Sequence, residues 1–158
     1  GMALVVIRKD LADRAPENLP SIFKYKTHIE ANSLYNTCPC FTIYTYMLVT
    51  RWIKKMGLNA LYQQNIDKAG KLYAAIDGSD FYKGTAVQEC RSDMNVTWRL
   101  TNEDLESKFI ADAAEQGLKG LKGHRSVGGV RASIYNAFPT AGIDALVSFM
   151  QEFERANG

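Results

Sequence analysis

Between residues 58 and 77 the chain repeats apolar side chains three and four positions apart: Leu58, Leu61, Tyr62, Ile66, Ala69, Leu72, Tyr73 and Ile76. That is the helical period, and it draws one apolar stripe down a helix that Asp77-Gly78 brings to an end. Such a helix is stable only when its stripe is covered, so the rest of the chain must provide a surface of matching size. The stretch just before it, "CFTIYTYMLVTRWIKKM", has the same period in Phe41, Tyr44, Leu48 and Trp52. Lys54 and Lys55 sit where the helix dipole favours cations, and Gly57 is a stop. Ile143, Leu146, Val147, Met150 and Phe153 predict a third amphipathic helix.

The covering surface is legible in the second half. "MNVTWRL" alternates Met94, Val96, Trp98 and Leu100 with Asn95, Thr97 and Arg99, the pattern of a half-buried strand. Thr101 with Asp104 three residues on predicts an N-cap ahead of Leu105, Phe109, Ile110 and Ala113, and Gly117 closes that helix. "LKGLKGH" and "VRASIYN" predict two strands around a Gly-Gly turn. Segregated helices with a small, mostly antiparallel sheet define an α+β class, the sheet packed against amphipathic helices. At the N-terminus "LVVIR", residues 4–8, predicts a buried strand. From Asp10 to Thr37 the periodicity disappears, and a connection that long needs another surface to lie on.

Several functions are excluded early. Nineteen basic against seventeen acidic side chains leave a net charge of +2, too little for a general nucleic-acid field. No apolar run reaches the roughly 18–20 residues that cross a bilayer, and "GMALVVIRKD" lacks the pattern of a signal peptide. Three cysteines, Cys38, Cys40 and Cys90, suit a reducing cytosol better than a disulfide framework, which predicts a cytoplasmic protein. Cys38-Pro39-Cys40 could be read as half of a metal site, but no second Cys/His pair at suitable spacing completes it and free thiols are common, so no metal is expected.

One segment stands out chemically. "GHRSVGGVRASIYN" places His124, Arg125 and Arg131 around two glycines with no acidic neighbour. Strand alternation puts Arg131 on the face of Ser133 and Tyr135, and a hairpin would gather all three at one end. Arginine meets carboxylate or phosphate oxygens two at a time, and glycine lets backbone approach an anion. The plain alternative is a solvated hairpin tip. In "LYNTCPCF", Asn36 or Thr37 is expected to cap the first long helix with Pro39 in its first turn, where free amides can hold phosphate. The alternative there is an ordinary cap.

Taken together, "SLYNT", "IDGSDFY", "MNVTWRL" and above all "LKGHRSVGGVRASIYNAFP" resemble the phosphoserine aminotransferase family, within the class V pyridoxal-phosphate-dependent aminotransferases. The likeness runs through essentially the whole chain. It implies the small C-terminal domain of a fold-type I transferase over residues 38–158, preceded by the last strand of a large domain and a connecting segment over 1–37. It implies that Asn36 and Thr37 reach the phosphate of pyridoxal 5'-phosphate across a homodimer interface. His124 and Arg125 would hold a substrate phosphate or the distal carboxylate of glutamate, and Arg131 the α-carboxylate. The reaction implied interconverts 3-phosphohydroxypyruvate plus glutamate with phosphoserine plus 2-oxoglutarate, in serine biosynthesis. The family's lysine, which carries the cofactor as a Schiff base, precedes the strand matching "LVVIR", and no lysine of this chain stands in that context. The chain alone is therefore expected to be inactive and to bind no cofactor. "TCPCF" departs from the family's prolines and small residues. The alternative function is an independent, non-enzymatic module that binds phosphorylated metabolites or mediates subunit contacts; a different class V activity is a weaker third.

Overall fold

The computed structural model describes all residues, 1–158. It divides into two compact units, residues 1–55 and 56–158. Most of the long helix that starts at Cys40 groups with the N-terminal segment in this division.

The second unit is a two-layer α+β domain. Its elements are α4 (Leu58–Asp77), β1 (Lys83–Gly84), β2 (Asn95–Arg99), α5 (Glu103–Glu115), β3 (Lys122–His124), β4 (Gly128–Ser133) and α6 (Thr140–Asn157). The strands form one antiparallel sheet in the order β1-β2-β4-β3. Alternation sorts its two faces. Val96, Trp98, Val130, Ala132 and Ile134 are buried in a single core with Leu72 and Ile76 of α4, Phe109 of α5, and Ile143, Phe149, Met150 and Phe153 of α6. Asn95, Thr97, Arg99, Arg131 and Ser133 occupy the other face and stay half-exposed. Phe109 is the hub, with edge-on contacts to Tyr82, Trp98, Phe149 and Phe153.

The capping expectation needs a correction. Asn102, not Thr101, is the N-cap of α5: its side chain accepts from the Leu105 amide at 2.8 Å. Asn102 is the residue that adopts extended backbone directly before the helix, with φ −151° and ψ 166°.

The first unit holds α1 (Lys9–Ala12), a 3-10 turn at Ser21–Phe23, α2 (Tyr25–Glu30) and α3 (Cys40–Met56). Residues 4–8 form no strand. A strand needs a partner ladder, and the only sheet is the one of the second unit. Leu4, Val5 and Val6 are exposed, Val6 to 92%. α3 has the predicted amphipathic sequence yet buries none of its residues. No helix is long and apolar enough to cross a membrane.

Candidate functional site

The cationic segment folds as a hairpin, but its turn falls on residues 125–127 and not on the glycine pair, which opens β4. Lys122 pairs with Val130 and His124 with Gly128, and a turn closed by Val127 N–H to the His124 carbonyl (3.0 Å) carries Arg125 at its tip. The hairpin is built around glycine. A Cβ on Gly123 would stand 2.0 Å from the Gly128 carbonyl oxygen, and Gly128 and Gly129 both take positive φ, +71° and +74°.

His124 uses Nδ1 as an acceptor, from the Ser126 amide (3.3 Å) and against the Ser126 hydroxyl (2.7 Å). In the neutral ring this leaves Nε2–H as the free donor. Arg125 is exposed. Arg131 lies farther along β4, opposite Thr97, three residues from the partner of His124. At about 3.3 Å per residue that is roughly 10 Å of strand. The expectation that all three cations gather at one end is therefore met by His124 and Arg125 only; Arg131 faces the open side of the sheet.

There it has polar company. Ser133 donates to the Asn95 side-chain oxygen at 2.9 Å, and the Asn95 amide donates to the Tyr135 phenol oxygen at 3.2 Å. The Asn95 hydrogen bond first, then Ser133 and the charge of Arg131, holds the Tyr135 phenol below its ordinary pKa. The Nε of Arg131 is buried without a hydrogen-bond partner. A guanidinium with an unused buried donor, beside hydroxyl and phenol groups, has the chemistry to receive a carboxylate.

Lys68 was not legible as part of this architecture. It is fully buried on α4, and its ammonium donates to the carbonyls of Ile134 and Tyr135 (both 2.9 Å), Phe138 (3.2 Å) and Asn136 (3.4 Å). Burial lowers its pKa. Lys68 thereby pins the chain that leaves β4, directly after Arg131. Only a lysine on a mostly apolar stripe, one it shares with the buried Asn65, hinted at it.

In the first unit, Asn36 and Thr37 are exposed and precede α3 without capping it. The Cys40 amide donates to the Cys38 carbonyl (2.9 Å), closing a three-residue turn on Pro39, so the helix begins only at Cys40. Pro39 takes the cap position, its carbonyl accepting from the Ile43 amide at 3.0 Å, rather than lying in the first turn. Two left-handed residues, Asn32 (φ 49°) and Ser33 (φ 65°), reverse the chain after α2, and the Cys38 thiol donates to the Ser33 carbonyl at 3.7 Å. Asn36, Thr37, Ser33 and His28 share a cleft of about 570 Å³.

A family model, Aminotransferase class-V, matches residues 1–146. The chain belongs to the class V aminotransferases. Phosphoserine aminotransferase of Desulfatibacillum aliphaticivorans is 56% identical over 160 residues, covering all of this chain and 44% of that protein. The phosphoserine aminotransferase of Desulfosudis oleivorans is 53% identical with the same coverage. Among solved structures, the Bacillus circulans subsp. alkalophilus phosphoserine aminotransferase superposes with a TM-score of 0.92 at 48% identity, over 96% of this chain and 43% of that one. The phosphoserine aminotransferase with bound PLP from Trichomonas vaginalis gives 0.85 at 37% identity, over 92% and 42%. This class V chain thus spans less than half the length of the relatives it matches.

The cofactor of these enzymes carries a phosphate, and the donor set before α3 fits it. The Asn36 amide and the Thr37 hydroxyl are neutral donors, and they stand just ahead of the positive end of a 17-residue helix.

Proposed function

We propose that this class V chain is the portion of a phosphoserine aminotransferase that grips the charged ends of substrate and cofactor. The whole enzyme would transfer an amino group between glutamate and 3-phosphohydroxypyruvate. The observation that carries this is Arg131, a guanidinium on an open polar face with a buried, unpartnered Nε. Relatives of that name at 53–56% identity over the full chain support the substrate class.

The division of labour follows from the groups present. Arg131 takes the α-carboxylate common to both amino acids. His124 Nε2–H and Arg125 take the second anion, a phosphate on one substrate and a carboxylate on the other. Two fixed ends leave the molecule little freedom, so its amine is presented at a defined position. Tyr135 and Asn95 border the Arg131 subsite and orient its polar rim. Pyridoxal phosphate, when bound, supplies the electron sink for chemistry at the amino carbon. Asn36 and Thr37 would hold its phosphate.

No lysine of this chain stands just ahead of the "LVVIR" segment, where the family resemblance puts the carrier, and three lysines of the second unit are engaged elsewhere. Lys68 is spent on four carbonyls, and Lys71 and Lys108 are paired with Asp144 and Asp112. We therefore assign the carrier lysine to the remainder of the enzyme, and the chain alone no transamination. The polar grips and exposed apolar first unit favour this over a free-standing metabolite-binding module.

In the full-length enzyme, Arg131→Ala should raise the apparent dissociation constants of glutamate and phosphoserine alike, by about a hundredfold, the size expected for a charge-assisted pair. Unchanged affinity for both would overturn the proposal.

A further inference from the structure

The tip that carries His124 and Arg125 has little to hold it. Val127 is 69% exposed, and the hydrogen bonds of the His124 side chain stay within the turn. One group reaches it from outside. Arg99, at the end of β2, donates Nη1–H to the Val127 carbonyl at 2.7 Å. Its Nε binds Glu106 at 2.6 Å, and Nη2 lies 3.7 Å from Glu103. Glu106 is itself buried and accepts from the Leu100 amide at 3.2 Å, so the guanidinium is anchored in α5 and the end of β2.

The two glycines that follow the turn, at the start of β4, complete this arrangement. A Cβ on Gly129 would come within 2.8 Å of Arg99 Cδ, and one on Gly128 within 3.2 Å of Arg99 Nη1. The Gly-Gly pair therefore leaves room for Arg99 to run beneath the turn.

We propose that Arg99 is a positioning residue that fixes the His124–Gly129 turn in its anion-gripping geometry, through the Val127 carbonyl and the Glu106 anchor. It touches no substrate. This rests on the function proposed above for His124 and Arg125. The planar fork is what suits arginine to the task, since it serves a carboxylate and a carbonyl in two directions at once. A lysine keeps the charge beside Glu106 but brings one compact ammonium, too small to span both partners.

The test compares Arg99→Gln and Arg99→Lys in the full-length enzyme, with hydrogen exchange of residues 122–129 and steady-state kinetics with phosphoserine as readouts. Arg99→Lys guards against a general loss of fold, because Glu106 keeps a cationic neighbour. The expected result in both variants is faster exchange confined to the turn, a KM for phosphoserine raised about tenfold and kcat within about twofold, the pattern of lost positioning. Exchange and KM at wild-type values in both variants would overturn the inference. His124→Ala and Arg125→Ala are measured alongside. If they raise KM while the Arg99 variants do not, the positioning inference alone fails. If none of the four raises KM, the anion-grip function fails and takes this inference with it.

Discussion

Lys68 holds the segment that follows β4, Tyr135 included, from a distant place in the sequence. Its four carbonyl acceptors come from a segment 66–70 residues away, so no local pattern around Lys68 could reveal them. Lys68→Met removes the donor and leaves buried carbonyls unpaired. The expected loss is about 3 kcal/mol of stability, measured by urea denaturation, within the range for stranding a buried polar group. The face of Arg131 was legible, because strand alternation alone assigns it. Its distance from His124 was not legible, because that depends on where the hairpin turns, which is at residues 125–127, ahead of the glycine pair. The cap of α5 was misplaced by one residue for a similar reason: Thr101 and Asn102 are both capping types, and only backbone geometry separates them. Asn102→Ala should cost about 1 kcal/mol and Thr101→Ala much less, again by denaturation.

Among the elements, α4, α5 and α6 were legible because each has one apolar stripe, and the sheet of the second unit covers all three. Phe109 is the point where they meet, fully buried among four aromatic rings. Phe109→Ala should lose about 3–5 kcal/mol, read as a drop in the denaturation midpoint. The end of α4 is tied by a forked pair, Arg91 to Asp77 at 2.5 and 2.7 Å, with Arg91 also lying over the Tyr73 ring at 4.5 Å. The Arg91 hydrogen bond holds the Asp77 carboxyl below its usual pKa. A carboxyl lowered on folding stabilises the folded chain above its unfolded value, about 3.9, and that contribution disappears as pH falls through the folded value. Stability measured against pH should therefore fall more steeply below about pH 4 in the wild type than in Asp77→Asn. The strand expected at residues 4–8 failed because an apolar β-branched run specifies a preference and not a partner. α3 kept its helix but begins at Cys40, since the turn on Pro39 delays it.

At the scale of the molecule, the two units differ in how they treat apolar surface. The second buries a complete core. The first leaves Val6, Phe23, Leu34 and Phe41 between 68% and 92% exposed. Apolar surface of that kind is expected to be covered by other protein, and the chain spans less than half of its relatives. Light scattering on the isolated chain should therefore report self-association; a clean monomer at all concentrations would count against that expectation. Adding pyridoxal phosphate and borohydride to the isolated chain should label no single lysine, and a stoichiometric product at one site would contradict the assignment of the carrier lysine elsewhere. The most direct test of the two-ended grip is equilibrium binding of phosphoserine and serine to the full-length enzyme carrying Arg131→Ala or Arg125→Ala. Arg131→Ala should weaken both ligands equally, while Arg125→Ala should remove most of the preference for phosphoserine; a preference that survives Arg125→Ala, with serine binding unaffected by Arg131→Ala, would contradict it.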